Sequence, residues 1–213
     1  MSVVLAKGAE AMLFLEQWYG IRVVRKHRIP KSYRVESLDK RLRHERTIRE
    51  ARTINVAKRA GVPTPIIYSV NLETATIIME YIEANRLMEH LETLSSSKQQ
   101  KVFKQIGKSV ALLHHTHICH GDLTTSNMLL HTSGKVYFID FGLATTTHSI
   151  EDYGTDIHLL RRALNSTHHT SWRECFNAFK DGYQNEYGRG ASRIFRQVEA
   201  IESRGRYITE RIR

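Results

Sequence analysis

The stretch His120-Gly121-Asp122-Leu123-Thr124-Thr125-Ser126-Asn127, answered further on by Asp140-Phe141-Gly142, decides how this chain is read. Between the two lie apolar runs, Met128 to Leu130 and Val136 to Ile139, with Gly134 at the turn, a pattern that predicts a β-hairpin. Such a hairpin returns Asp140 to the side of the loop that carries Asp122 and Asn127. Three oxygen donors then face one cavity, which is the ligand chemistry that a hard cation such as Mg²⁺ takes. Asp and Asn also cap backbone amides in ordinary turns, and for any single residue that reading competes. The ordered set, anchored by apolar strands, is much harder to explain that way.

The same spacing resembles the phosphoryl-transfer template of protein kinases, where the loop Asp orients the attacking hydroxyl while the Asn and the Asp-Phe-Gly carboxylate hold the metal. On that template Asp122 is catalytic, Asn127 and Asp140 are metal ligands, and the cofactors are ATP and Mg²⁺. A triphosphate also needs a buried cation. Lys26 in the strand VVRKH, paired with Glu50 on the inward face of the following helix, meets that need. Arg25, Arg28 and Lys31 compete with Lys26, and Glu45 competes with Glu50; strand alternation places Lys26 on the face of Val24, opposite Arg25. Adenine is expected where Met79-Glu80-Tyr81-Ile82 leaves its strand with free backbone groups, so Met79, Glu80 and Ile82 are candidate contacts. Lys7-Gly8-Ala9-Glu10-Ala11 is the candidate phosphate flap, with one glycine where ordinary kinases carry G-x-G-x-x-G.

The first third reads as short β-branched and aromatic strands: VVLAK, MLFLEQW and IRVVRKH. A helix is expected from Ser37, as N-cap, to Ala60, with Leu38 and Leu42 on one face, Thr47, Glu50, Ile54 and Ala57 on another, and Gly61-Val62-Pro63 as the stop. IIYSV (66–70) and TIIMEYI (76–82) flank a turn and suggest a hairpin. After residue 82 the texture becomes helical, over 86–94 and about 99–115, then beyond the Asp-Phe-Gly to the end. The expectation is an α+β, two-lobed protein-kinase-like fold. Residues 1–82 form a small lobe of about five antiparallel strands plus one helix, and 83–213 a mainly helical lobe.

At 213 residues and 41% hydrophobic content, the chain is long enough for such a core. It has no run of 18 apolar residues, and charges come too early for a secretory leader, so a soluble, unexported chain with no membrane contact is expected. Cys119 and Cys175 form no C-x-x-C pair, and no disulfide is expected. The net charge of +10 is concentrated in residues 22–59, which hold 14 Lys/Arg against 4 Asp/Glu. That excess is the footprint of a polyanion partner, with solvated helix charge as the bland alternative. A smaller basic cluster closes the tail at Arg204, Arg206, Arg211 and Arg213. The run His114-His115-x-His117-x-Cys119-His120 invites a zinc site, but consecutive spacing does not impose tetrahedral convergence. His120 is expected to brace the loop instead.

The blocks KGAEA, VVRKHRIPKSYR, LDKRLRHERTIREA, HGDLTTSNMLL, YFIDFGLA and ESRGR resemble the KEOPS kinase subunit, a RIO-related family also called bud-site-selection kinase, over nearly the whole chain. HGDL…N alone is shared with aminoglycoside and choline phosphotransferases; TTSNM followed by FIDFGL is narrower. The resemblance implies an atypical Ser/Thr kinase and ATPase that works with a threonylcarbamoyl-transferase subunit and other KEOPS subunits on tRNA. It maps the family's functional residues onto Lys26, Glu50, Asp122, Asn127 and Asp140, and places the protein in the cytoplasm, and also in the nucleus if eukaryotic. tRNA contact is expected through residues 22–59 and the tail. Two departures matter. Only 13 residues separate Gly142 from Asp156, a helix Asp resembling the one that braces the catalytic loop, and no A-P-E follows, so the surface that clamps a substrate peptide is missing. The family's Ala-Val-Asp-Leu segment here reads Gly154-Thr155-Asp156-Ile157. A small-molecule kinase and a catalytically idle tRNA-binding scaffold remain the rival readings.

Overall fold

A computed structural model describes residues 2–8 and 10–210, with side chains through Arg204. Five strands build the first sheet: β1 (Val3–Lys7), β2 (Ala11–Trp18), β3 (Ile21–Arg28), β4 (Ile67–Asn71) and β5 (Thr76–Glu80), antiparallel in the order β1-β2-β3-β5-β4. The β2–β3 hairpin turns on Tyr19 and Gly20, both at positive φ, a two-residue loop whose twist matches that of the strands. Its register sets Leu13 opposite Lys26 and Leu15 opposite Val24, while β5 sets Ile77 and Met79 against the same two β3 residues. Cross-strand partners share a face, so Lys26 emerges from an apolar patch.

Helix α1 (Glu36–Arg59) connects β3 to β4 and buries Asp39, Thr47, Glu50, Ile54 and Ala57. The four residues from Thr47 to Ala57 follow helical spacing. The start differs from expectation: Val35 is the N-cap and Ser37 lies within the first turn. Asp39 takes over that end, accepting the Lys31 N–H at 3.3 Å and Arg43 Nε at 2.6 Å. Leu38, expected on an apolar face, is exposed. At the far end Gly61 adopts φ +88°, which stops the helix as the sequence suggests.

The remainder is mainly helical. β6 (Asn85–Arg86) leads into α2 (Leu87–His90) and a 3₁₀ turn, Leu91–Thr93, where a single helix over 86–94 was expected. Helix α3 (Ser96–His115), β7 (Ile118–Cys119), the hairpin β8 (Met128–Leu130) and β9 (Val136–Phe138), and β10 (Thr145–Thr146) follow. Helices α4 (Ile150–Thr167), α5 (Trp172–Tyr187) and α6 (Ala191–Glu210) complete the described residues. β6 pairs with β8, and β7 with β10, so short ladders fasten the loops around the Asp-Phe-Gly segment.

The apolar core runs through α3, α4, α5 and the β8–β9 hairpin, with Phe103, Ile106, Leu113, Leu123, Phe138, Leu160 and Phe179 fully buried. Each such side chain contributes about 1.5–3 kcal/mol of transfer free energy. α3 and α5 meet through glycines: a Cβ on Gly107 would lie 2.1 Å from the Phe179 carbonyl, and one on Gly182 2.0 Å from that of Lys104. Both cysteines are free and buried. No helix among the described residues is long and apolar enough to cross a membrane.

Candidate active site

Lys26, Glu50, Asn127 and Asp140, singled out in the sequence, come together between the sheet and the helical part. Lys26 Nζ, from β3, donates to Glu50 Oε1 of α1 at 2.7 Å and to Asp140 Oδ1 at 2.7 Å. Glu50 is 1% exposed and receives a second cation, Arg28, whose Nη2 donates to Oε2 at 2.6 Å. Burial would push the Lys26 ammonium toward its neutral form, but Glu50 and Asp140 outweigh it and raise its pKa. Burial likewise favours protonation of Asp140, and the Lys26 charge and hydrogen bond overcome it, holding the carboxyl below its ordinary value. Half of the Asp140 side chain nevertheless faces the cleft, at 52% exposure.

The hairpin explains how Asp140 arrives there. Met128 pairs with Phe138, and the Ile139 N–H donates to the Asn127 carbonyl at 3.0 Å, which sets Asn127 beside Asp140. Asp140 itself takes φ +61°, a left-handed conformation that a non-glycine residue holds only when its surroundings enforce it. Asn127 Nδ2 donates to Asp122 Oδ2 at 2.8 Å and to the Asp122 carbonyl at 3.0 Å. Its amide nitrogen is thus occupied by Asp122, and its Oδ1 remains as an oxygen donor. Asn127 Oδ1 and the Asp140 carboxylate are hard oxygen ligands on adjacent backbone, a donor set that fits Mg²⁺.

Beneath them the loop is braced by Asp156 of α4. Its carboxylate accepts the His120 N–H at 2.8 Å, the Gly121 N–H at 2.9 Å and His114 Nε2 at 3.3 Å, while His114 Nδ1 bonds the Tyr183 hydroxyl at 2.8 Å. His120 closes the frame through Nε2 to the Ile139 carbonyl at 3.1 Å. Gly121 is required here: φ is +78°, and a Cβ would lie 2.3 Å from the Leu143 carbonyl. His114, Cys119 and Asp156 do cluster with ligand atoms within 4.8 Å of one another. Both His114 nitrogens are already engaged, so the cluster reads as a polar brace.

A cavity of about 290 Å³ opens onto this constellation, with Val24, Lys26 and Met79 on the sheet side, Leu129 and Ile139 on the other, and Asn127 and Asp140 at one end. A larger depression of about 610 Å³, between α3 and the 131–134 turn, contains none of Lys26, Glu50, Asp122, Asn127 or Asp140. The smaller cleft is lined by Lys26, Glu50, Asn127 and Asp140; Asp122 is not among its lining residues and is tied to it through Asn127.

The protein kinase domain family matches residues 14–170. A protein of Pyrococcus abyssi, "KEOPS complex subunit Bud32", is 45% identical over 210 residues that cover 95% of each chain. The chain belongs to the Bud32 family. A "probable bifunctional tRNA threonylcarbamoyladenosine biosynthesis protein" of Methanothermobacter thermautotrophicus is 40% identical over 96% of this Bud32-family chain, which corresponds to only 36% of that longer protein. The solved Rio2 kinase–ADP/Mg²⁺–phosphoaspartate complex from Chaetomium thermophilum superimposes with TM-score 0.62 at 14% identity, covering 95% of this chain and 70% of that one. At that identity the likeness carries the fold alone.

Other expected contacts of this Bud32-family chain fall less simply. The Gly8 N–H closes a turn onto the Ala11 carbonyl at 2.9 Å, Ala9 lies outside the described residues, and Glu10 is drawn aside to Arg46 of α1. The cavity is lined on this side by Leu5, Ala6 and Leu13, not by Lys7, Gly8, Glu10 or Ala11. Strand alternation from Lys26 across the β2–β3 hairpin could have found Leu13. Met79, Glu80 and Ile82 all line the cavity. The Glu80 N–H is taken by the Ile66 carbonyl at 2.8 Å and the Ile82 carbonyl by the Ala84 N–H at 3.0 Å, so the backbone here is less free than expected. The Ile82 N–H has no partner among the described residues.

The basic segment 22–59 is also largely spoken for. Arg22 pairs with Glu83, Arg25 with Glu16, Arg43 with Asp39 and Arg46 with Glu10. Lys40, Arg49, Arg52 and Arg59 are exposed and have no acidic partner among the described residues. In the tail Arg204 pairs with Glu151 at 2.9 Å; the side chains of Arg206, Arg211 and Arg213 lie outside the described residues.

Proposed function

We propose that the chain is an ATP- and Mg²⁺-dependent atypical Ser/Thr kinase and ATPase, acting as the kinase subunit of a KEOPS-type assembly that forms threonylcarbamoyladenosine in tRNA. The observation that carries the catalytic part is Lys26 Nζ, 2.7 Å from both Glu50 Oε1 and Asp140 Oδ1, across an open cleft. Lys26 is then the ligand of the α and β phosphates, and Asn127 and Asp140 are the residues that would hold Mg²⁺. Bound there, the ion supplies charge neutralisation at the transferring phosphoryl group. Glu80 and Ile82 receive the adenine edge, with Met79 and Val24 against its face.

Asp122 orients the attacking oxygen, and the Asn127 amide fixes its carboxylate rotamer at 2.8 Å. A water or a hydroxyl of the chain itself reaches this site more readily than an extended peptide, because only 13 residues lie between Gly142 and Asp156 to clamp one. The small lobe ends near residue 82, so nucleotide sits at a lobe junction. Partners are the transferase and other subunits of the assembly, in the cytoplasm and, in a eukaryote, the nucleus. Exposed Lys40, Arg49, Arg52 and Arg59 are the tRNA-facing cations of the 22–59 segment, together with the tail. Charge removal at those four flattens the dependence of tRNA affinity on salt, and removal at Arg43 does not.

The deciding experiment for the chemistry is Asp122→Ala. ATP turnover falls by roughly 10²–10⁴-fold while Mg-nucleotide affinity persists; unchanged turnover removes Asp122 from the role.

A further inference from the structure

Arg28 has no task in the scheme above, yet it is among the most deeply placed charges in the molecule. It lies two residues beyond Lys26 on β3, its side chain is 4% exposed, and its Nη2 reaches Glu50 Oε2 at 2.6 Å. The two oxygens of Glu50 are thus divided, Oε1 to Lys26 and Oε2 to Arg28. The guanidinium also packs against the Asp-Phe-Gly segment: a Cβ on Gly142 would lie 3.4 Å from Arg28 Nη2. Its Nε is buried without a hydrogen-bond partner among the described residues. A buried, half-satisfied guanidinium is costly to stability, so its placement answers to what the Nη2 end holds.

We propose that Arg28 is a positioning residue that keeps α1 docked through Glu50 independently of Lys26, so that the cleft is assembled before nucleotide arrives. The proposal rests on the nucleotide reading above. In kinases with a full activation segment, the lysine–glutamate pair forms or breaks as that segment is modified. Here a Lys26 that turned toward phosphates would have to divide its charge between them and Glu50. With Arg28 present, Glu50 keeps a second bond to the same strand, and α1 stays in place while Lys26 and Asp140 exchange partners. Contact with Gly142 extends the clamp to the loop that carries Asp140. The chain therefore has no need of a longer segment to hold α1 in, which matches the brevity of the one it has.

The test is amide hydrogen exchange on the full wild-type chain, alone and saturated with Mg-ADP, with binding measured by calorimetry on the same sample. Amides of α1 around Glu50 are expected to gain no more protection on binding than those of β3, within about 2-fold. In Arg28→Met, α1 amides exchange about 10-fold faster in the free protein and recover when Mg-ADP binds. The same variant loses about 10-fold in kcat for ATP turnover with a smaller change in Mg-ADP affinity, Arg28→Lys restores part of it, and in a Glu50→Gln background the Arg28→Met loss disappears. A wild-type α1 that orders only with nucleotide overturns the role of Arg28 and leaves the nucleotide site standing. So does a loss in Arg28→Met that simply adds to that of Glu50→Gln. Absence of any Mg-ADP binding removes the site and the role together.

Discussion

Asp140 and Asp156 have the same side chain, lie sixteen residues apart, and are both held below the ordinary carboxyl pKa, yet they are built for opposite ends. Asp156 is 1% exposed, and its oxygens are filled by the His120 and Gly121 N–H groups and by His114. Burial raises its pKa, and the His114 hydrogen bond with the nearby histidine and amide partners brings it below. Asp140 is half exposed and its main partner is one ammonium that is itself shared. A carboxylate whose partners are backbone amides of its own fold is part of the frame. One whose partner can be exchanged for a ligand is available for chemistry.

That contrast makes predictions of graded size. Asp140→Ala should reduce ATP turnover by roughly 10³-fold and weaken Mg-dependent nucleotide binding at least about 10-fold, measured by steady-state kinetics and calorimetry, with little change in the urea unfolding midpoint. A large loss of stability there would erase the distinction. Asp156→Ala should instead cost about 3–5 kcal/mol in unfolding free energy, since it removes a buried carboxylate and leaves the His120 and Gly121 N–H groups and His114 without their acceptor. Turnover per folded molecule then falls only as the loop loosens.

Acid pH separates the two further. The folded pKa of Asp156 is depressed, so its carboxylate contributes stability fully present above the unfolded value of about 4 and lost as pH falls through the folded value. The gap in unfolding free energy between wild type and Asp156→Asn should therefore shrink below about pH 4. A gap that widened on acidification would contradict the pairing described. Smallest of all is Arg204→Ala. Its ion pair with Glu151 is more than half exposed on both sides, and removal should shift stability by less than about 0.5 kcal/mol and leave turnover unaltered.

Much of the site was legible because its pieces are local. HGDLTTSN and Asp-Phe-Gly are contiguous motifs, and the hairpin between them announces itself by apolar alternation around Gly134. Lys26 and Glu50 come from the kinase template's need for a lysine and a helix carboxylate; strand alternation separates Lys26 from Arg25 but not from Arg28, and helix spacing turns Glu50 inward. What stayed hidden depends on contacts distant in sequence. Ala6 lines the cleft beside Leu13 because β1 pairs the two across a register shift between Val4 and Ala6, an irregularity that sequence alternation does not reveal. The helix start at Glu36 depends on buried Asp39, and Arg43, one of the cations in the 22–59 excess, is taken up by that same Asp39 four residues before it, a spacing that does signal a pair. In the sequence Arg28 competes with Lys26 for one role; that one carboxylate holds both appears only when α1 is laid on the sheet.

The central claim is that Lys26, Asn127 and Asp140 form one Mg-nucleotide site. Calorimetric titration of ADP into wild type, Lys26→Met, Asp140→Ala and Asp122→Ala, each with and without Mg²⁺, tests it most directly. Wild type and Asp122→Ala should bind with closely similar, Mg-dependent affinity, while Lys26→Met and Asp140→Ala bind at least about 10-fold more weakly. Equal affinity across all four proteins, or binding indifferent to Mg²⁺, would contradict the account.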